Sequence, residues 1–203
     1  MIKNIVFDFG DIFINLDKQV IFRALQNNDI QKFLPKYHSI NEDFEVGKIG
    51  PKEFVERLQP YFPHLGPKAI TDIWNSMLLD FPEYRLNFLE NLARDKQYRL
   101  FLLSNTNALH IPHVTKIMGS GSFGRFKNLF EQFYLSHEIQ LRKPNLEIFQ
   151  FVLEQNKLNP QETLFIDDTR ENTEAAKKLG INTWNLIVGK EDVIDLRERL
   201  LLC

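Results

Sequence analysis

Two acidic positions, one serine and one lysine stand where this chain could use them for chemistry. Asp8 closes the apolar run of residues 2–7. A short run rich in β-branched residues, ended by a polar residue and Gly10, reads as a buried strand entering a tight turn. A carboxylate there emerges at the carboxyl edge of a parallel sheet, where open α/β folds hold ligands. Ser104 closes residues 98–103 in the same way and leads into Asn105-Thr106-Asn107, and Asp167-Asp168 close residues 163–166. Lys143 precedes Pro144. These residue types match the needs of phosphoryl transfer: a nucleophile, a cationic clamp for the equatorial oxygens, and donors that hold the group in line. Asp8 is a carboxylate able to form an acyl phosphate. Asp168 offers a second carboxylate to a hard cation such as Mg²⁺, and a backbone carbonyl in the turn after Asp8 could add a ligand. Ser104 brings a hydroxyl, with Asn105, Thr106 and Asn107 beside it as substrate contacts. Lys143 brings positive charge.

Each residue taken singly has a plainer reading. Asp8 could be a turn residue, Ser104-Asn105-Thr106 a helix cap, Lys143 a solvated lysine, and Asp167-Asp168 the acidic first turn of a helix. Their joint order and placement at strand ends make one constellation instead.

The elements that must carry them alternate. Strands are expected at residues 2–7, 98–103, 133–135, 163–166 and 183–187. Helices are expected near 82–94, 145–155, 171–179 and 191–201. Residues 11–17 read as a short hairpin or loop leaving the sheet. Residues 18–83 carry apolar residues at helical spacing, such as Phe54, Val55, Leu58 and then Ile70, Ile73, Trp74, Met77, with no convincing strand. This predicts an α/β fold, a parallel sheet with helices on both faces, plus an inserted all-helical segment. Residues 1–17 and 84–203 form the core, and 18–83 the insertion. Residues 108–127 are harder to read; within them the glycine-rich stretch 118–124, holding Gly119, Gly121 and Gly124, reads as a flexible surface loop, with a mobile lid beside the site as the alternative.

With these motifs in view, the chain resembles the haloacid dehalogenase superfamily. The resemblance rests on Phe7-Asp8-Phe9-Gly10, Leu103-Ser104-Asn105-Thr106-Asn107, Arg142-Lys143-Pro144 and Phe165-Ile166-Asp167-Asp168, and covers nearly the whole chain. The likeness is strongest to a bacterial branch of sugar phosphatases. It implies a Rossmann-like core and a helical cap over the substrate. It implies Mg²⁺ held by Asp8, the Gly10 carbonyl and Asp168, with Asp167 and Asn172 supporting from behind. Asp8 would attack phosphorus, and Ser104 and Lys143 would steady the phosphoryl group. One departure matters. The family's phosphatases usually carry an acid/base Asp two positions after the nucleophile, and here that position is Gly10. Asp11 could substitute, a cap residue such as Glu45 or Lys48 could deliver the proton, or the leaving group could need little help. The alternatives to a phosphatase are a metal-independent dehalogenase, or a binding protein for phosphorylated ligands weakened by the loss at Gly10.

Bulk properties exclude other classes. An apolar fraction of 43% with 18 Phe supports a sizeable core, so the chain is not disordered. A net charge of -2 shows no electrostatic footprint for general nucleic-acid binding, while leaving anionic small molecules open. One cysteine, Cys203, allows no intrachain disulfide and no thiolate zinc cluster. It is expected to be a frayed terminal thiol. Neither a signal peptide nor a membrane span is evident, and a cytoplasmic protein is expected. Oligomeric state is left open.

Overall fold

The computed structural model describes residues 1–25 and 30–201; Cys203 lies outside them. Five strands form one parallel sheet: β1 Asn4–Phe7, β2 Arg99–Ser104, β3 Gln132–Leu135, β4 Thr163–Asp167 and β5 Asn182–Asn185, in the order β3-β2-β1-β4-β5. The helices are α1 Val20–Arg23, α2 Ile30–Glu45, α3 Pro51–Leu58, α4 Pro67–Asn75, α5 Glu83–Arg94, α6 His110–Met118, α7 Ser120–Lys127, α8 Ser136–Ile139, α9 Leu146–Asn156, α10 Arg170–Lys177 and α11 Leu196–Leu201.

Strand alternation divides the apolar residues between two faces. Ile5, Phe7, Leu100, Leu102, Leu164 and Ile166 pack with Leu86, Leu89 and Leu92 of α5. Val6, Phe101, Leu103 and Phe165 pack with Ile148, Phe149 and Val152 of α9 and Ala175 and Ala176 of α10. With both faces covered, every residue of β1 is buried, which is why Ile5-Val6-Phe7 is a continuous apolar run rather than an alternating one, and the buried Asn4 amide donates to Thr163 Oγ1. This is a Rossmann-like sheet with helices on both faces.

Residues between β1 and α5 build a separate apolar cluster around Phe33, Phe44, Phe54, Phe62 and Trp74. Pro51 and Pro67 open α3 and α4 behind Gly50 and Gly66, where a missing N–H costs nothing. Two chain segments join this helical unit to the sheet, and they are bonded to each other. Asn15 N donates to Asp80 O (3.0 Å), Asp17 N to Met77 O (2.8 Å) and Leu79 N to Asn15 O (2.9 Å). Arg85, buried at the start of α5, pins the join from below. It donates to Asn15 Oδ1 (3.0 Å) and to Asp192 Oδ2 (2.9 Å), ahead of α11.

The glycine-rich stretch departs from expectation. It is neither a flexible loop nor a lid: α6 and α7 occupy it, joined at Gly119 with φ 76°. Phe126 of α7 is fully buried and touches the rings of Phe9, Phe13, Phe81, Phe130 and Phe133. Arg125 bonds Glu90 of α5 at 2.8 Å. Burial of that aromatic face overrides the helix cost of about 1 kcal/mol per glycine. The final strand ends sooner than expected, and only Leu196–Leu201 of the last expected helix is α-helical, because Asp192 caps a separate single turn, Val193–Asp195.

Gly124 sits inside α7 with open space where a Cβ would project. Gly124→Ala should therefore raise unfolding free energy by roughly 0.5–1 kcal/mol, read by urea denaturation. A loss of stability would show that the helix is not formed there.

Candidate active site

Sheet register assembles the site. Phe7 is level with Leu102 and with Ile166. Asp8, one residue beyond, is thereby beside Asp167, and its N–H still donates to Ile166 O at 2.9 Å. Ser104 ends β2 on the other side. Lys143 comes from the loop before α9, and its backbone is clipped by the Asn105 amide: Asn105 Nδ2 donates to Lys143 O (2.8 Å) and Lys143 N donates to Asn105 Oδ1 (2.9 Å).

This places the Lys143 ammonium, 1% exposed, between two carboxylates. It donates to Asp8 Oδ1 at 2.7 Å and to Asp167 Oδ2 at 2.7 Å. Asp167 is fully buried and saturated. It also accepts from Asn172 Nδ2 on both oxygens (3.0 Å each) and from Thr169 N (2.8 Å). Ligand atoms of Asp8, Asp167 and Asp168 lie within 4.8 Å of one another. Such a cluster of hard oxygens fits a divalent cation of the Mg²⁺ kind. Burial and the two neighbouring carboxylates explain the electrostatics. Burial pushes the Asp8 carboxyl up to about 7; Lys143 opposes this, and Asp167 and Asp168 add to it. Burial also works against the Lys143 charge, but Asp167 and Asp8 outweigh it and hold its pKa above the ordinary value. The one ammonium of Lys143 does not neutralise both of the carboxylates it touches.

A cavity of about 690 Å³ opens over this edge, lined by both the sheet loops and the helical unit. Ser104, Asn105, Thr106, Asn107, Asp168 and Asn172 all line it. Several of these side chains already have structural partners. Asn107 Oδ1 accepts from the N–H groups of Leu109 and His110, and Thr106 is held through its backbone by Ser136. Asp11 is not among the lining residues. It adopts φ 55°, and its carboxylate accepts Leu16 N (3.0 Å) and pairs with Lys18 (2.8 Å). At Gly10 an added Cβ would lie 2.7 Å from Leu16 Cδ1 and 4.0 Å from Asp8 Oδ2. Leu16 thus fills the space an acid at this position would use.

Glu45 and Lys48 part ways. Glu45 lines the cavity and accepts from Asn41 Nδ2 (3.0 Å) and Arg142 Nε (3.0 Å), whereas Lys48 pairs with Asp43 outside it. Burial raises the Glu45 pKa, with Arg142 pulling the other way. Lys18 and His110 line the cavity and escaped the sequence reading. Lys18 binds Asp168 Oδ2 at 2.6 Å. His110 is stacked on Trp74 and bonded through Nε2 to Trp74 O at 3.3 Å. Burial drives its imidazole down to about 4, so the ring is neutral at pH 7. No spacing in the sequence distinguishes these from ordinary surface or core residues.

A Rossmann-like sheet whose central strand delivers a carboxylate onto a buried lysine, beneath a helical insertion, defines a hydrolytic core of a known type. The chain belongs to the haloacid dehalogenase-like hydrolases: that family's profile matches residues 2–180. It is 31% identical over 206 residues to a D-ribitol-5-phosphate phosphatase of Bacteroides thetaiotaomicron, covering 98% of this chain and 97% of the relative. A haloacid dehalogenase family enzyme from the same organism, solved in complex with magnesium and inorganic phosphate, superposes with TM-score 0.77 at 34% identity, covering 94% of this chain and 97% of that one. A HAD-like family hydrolase of Porphyromonas gingivalis gives TM-score 0.79 at 33% identity, covering 99% and 98%.

The raised Asp8 pKa carries a sign for stability. The unfolded carboxyl titrates at its ordinary 3.8 and the folded one at about 7. Between those values the folded state holds a proton the unfolded state has released, so metal-free protein loses stability as pH rises through that window. A divalent cation binds the deprotonated form and offsets the loss. The increase in Tm on adding MgCl₂ should therefore be larger at pH 8 than at pH 5.5, measured by differential scanning fluorimetry. An increment independent of pH would rule out Asp8 as the titrating ligand.

Proposed function

We propose that this hydrolase is a Mg²⁺-dependent phosphatase of small, hydroxylated phosphate monoesters in the cytoplasm. The observation that carries this reading is the convergence of Asp8, Lys143 and Asp168 on one cavity edge. Asp8, Asp168 and the Gly10 carbonyl would hold the ion, which supplies positive charge toward the phosphoryl oxygens and the crowded carboxylates. Asp167 is left to hold Lys143, and Asn172 to hold Asp167.

In the first step an Asp8 carboxylate oxygen forms a bond to phosphorus while the ester P–O bond breaks. Lys143 keeps the carboxylate oriented through Oδ1, and Ser104 and Lys143 steady the phosphoryl oxygens. The leaving oxygen takes a proton from Glu45, the cavity carboxyl on the helical unit whose pKa burial has raised. In the second step water, deprotonated by Glu45, attacks phosphorus and frees Asp8 and inorganic phosphate. Residues 18–83 act as the cap that closes over the substrate. A hydroxylated substrate is supported by two buried polar atoms of lining residues on that cap, Asn41 Oδ1 and Trp74 Nε1. They have no partner among the described residues, and a substrate hydroxyl would complement both. The similarity to a ribitol-phosphate phosphatase points the same way. Lack of a membrane-crossing helix among the described residues and the single cysteine agree with a metabolite of the cytoplasm.

Phosphate release from a panel of polyol, sugar and alkyl phosphates in MgCl₂ should favour the hydroxylated esters and stop in EDTA. Asp8→Asn should lower kcat by on the order of 10⁴-fold; turnover surviving that change removes the nucleophile. Glu45→Gln should cost roughly 10²-fold or more on alkyl leaving groups and far less on p-nitrophenyl phosphate, whose leaving group needs no proton. Equal losses on both would remove Glu45 as the acid.

A further inference from the structure

Lys18 is a charged residue at this site whose chemistry the mechanism above does not use. It is the first residue past the paired linker strand at Asp17, and it lines the cavity. Its ammonium bridges two carboxylates, 2.6 Å from Asp168 Oδ2 and 2.8 Å from Asp11 Oδ2. The side chain is 48% exposed, so unlike Lys143 it can move without unpacking the core. Four carboxylates, Asp8, Asp11, Asp167 and Asp168, face two ammoniums, Lys18 and Lys143, which leaves a formal charge of two negatives.

We propose that Lys18 is a built-in competitor for the divalent cation, holding Asp168 when no cation is bound and yielding it on metal binding. The proposal rests on the phosphatase reading only in taking Asp168 as a metal ligand. A carboxylate oxygen in a charge-assisted hydrogen bond offers less electron density to a hard cation, and the ammonium repels that cation besides. Asp11 gives the competitor somewhere to go. Its Oδ1 is fixed by Leu16 N, so Oδ2 stays in place to keep Lys18 when Asp168 turns to the ion. This assigns Asp11 a role that does not need it to reach substrate. It also ties metal loading to the helical unit, because Lys18 sits at the junction where that unit leaves the sheet. Lys18 is a positioning residue, acting through Asp168.

Isothermal titration of the intact protein with MgCl₂ alone, without substrate, tests this. Lys18→Met should tighten Mg²⁺ affinity roughly 5-fold, as expected from the loss of a partly exposed ion pair of about 1 kcal/mol. Lys18→Arg, which keeps the charge, should leave affinity near that of the unmodified protein. Circular dichroism confirms that both variants fold. Unchanged or weaker Mg²⁺ binding in Lys18→Met overturns the proposal. Mg²⁺ binding that tightens as expected in a protein without phosphatase activity upholds the competition and removes the functional reading instead. Failure of the unmodified protein to bind Mg²⁺ overturns both.

Discussion

The buried contact of Lys143 with Asp8 and Asp167 is the constraint to which the rest of the site is fitted. An ammonium removed from water costs several kcal/mol unless it is paired and fully hydrogen-bonded. Two carboxylates at 2.7 Å supply the pairing, and the Asn105 amide clips the lysine backbone so that its side chain arrives at the right depth. Asp167 in turn needs Asn172 and the Thr169 N–H, because it is fully buried and its charge must be shared. The arrangement is over-supplied with negative charge. That excess makes one more cation favourable at the sheet edge, and it adds to the burial that raises the pKa of Asp8.

Above the edge, the helical unit meets the core in a few defined places. Its two linkers are hydrogen-bonded to each other, so they form one paired strap rather than two independent loops. Glu45 of the unit pairs with Arg142, the residue before the buried lysine. Gly47 lies beside it with φ 69°, where a Cβ would come within 2.4 Å of the His137 carbonyl oxygen. Only glycine allows both that backbone conformation and that approach. The seating of the unit is therefore set by backbone contact as well as by charge, close to the residues that line the cavity.

Gly10 illustrates how a family position can change its use. Its φ is not in the left-handed region, so the backbone does not demand glycine. The side chain of Leu16 occupies the adjoining space beside Asp8. The inner wall of the pocket is accordingly apolar at a point where a carboxyl would otherwise stand. Asp11, next in sequence, turns to φ 55° and is held by Leu16 N and Lys18.

Much of the fold was legible from local signals. The strands declared themselves as short apolar runs ending in polar residues, because a parallel sheet covered on both faces demands such runs. The alternation of strands with helical spacing implied the layered architecture, and the strand-end positions of Asp8, Ser104 and Asp167-Asp168 marked one edge. Residues 118–124 were misread because glycine content argues about local propensity, while Phe126 and its five aromatic neighbours act through contacts between distant segments. The separate contacts of Asp167 and Asp168, the occupancy of the Gly10 space by Leu16, and the inclusion of Lys18, Asn41, Trp74 and His110 became visible only in three dimensions. Residue type and order along the chain determined that carboxylates and a lysine would share the sheet edge. Which oxygen each group touches depends on strand register and on the seating of the helical unit, and neither is encoded in any short stretch of sequence.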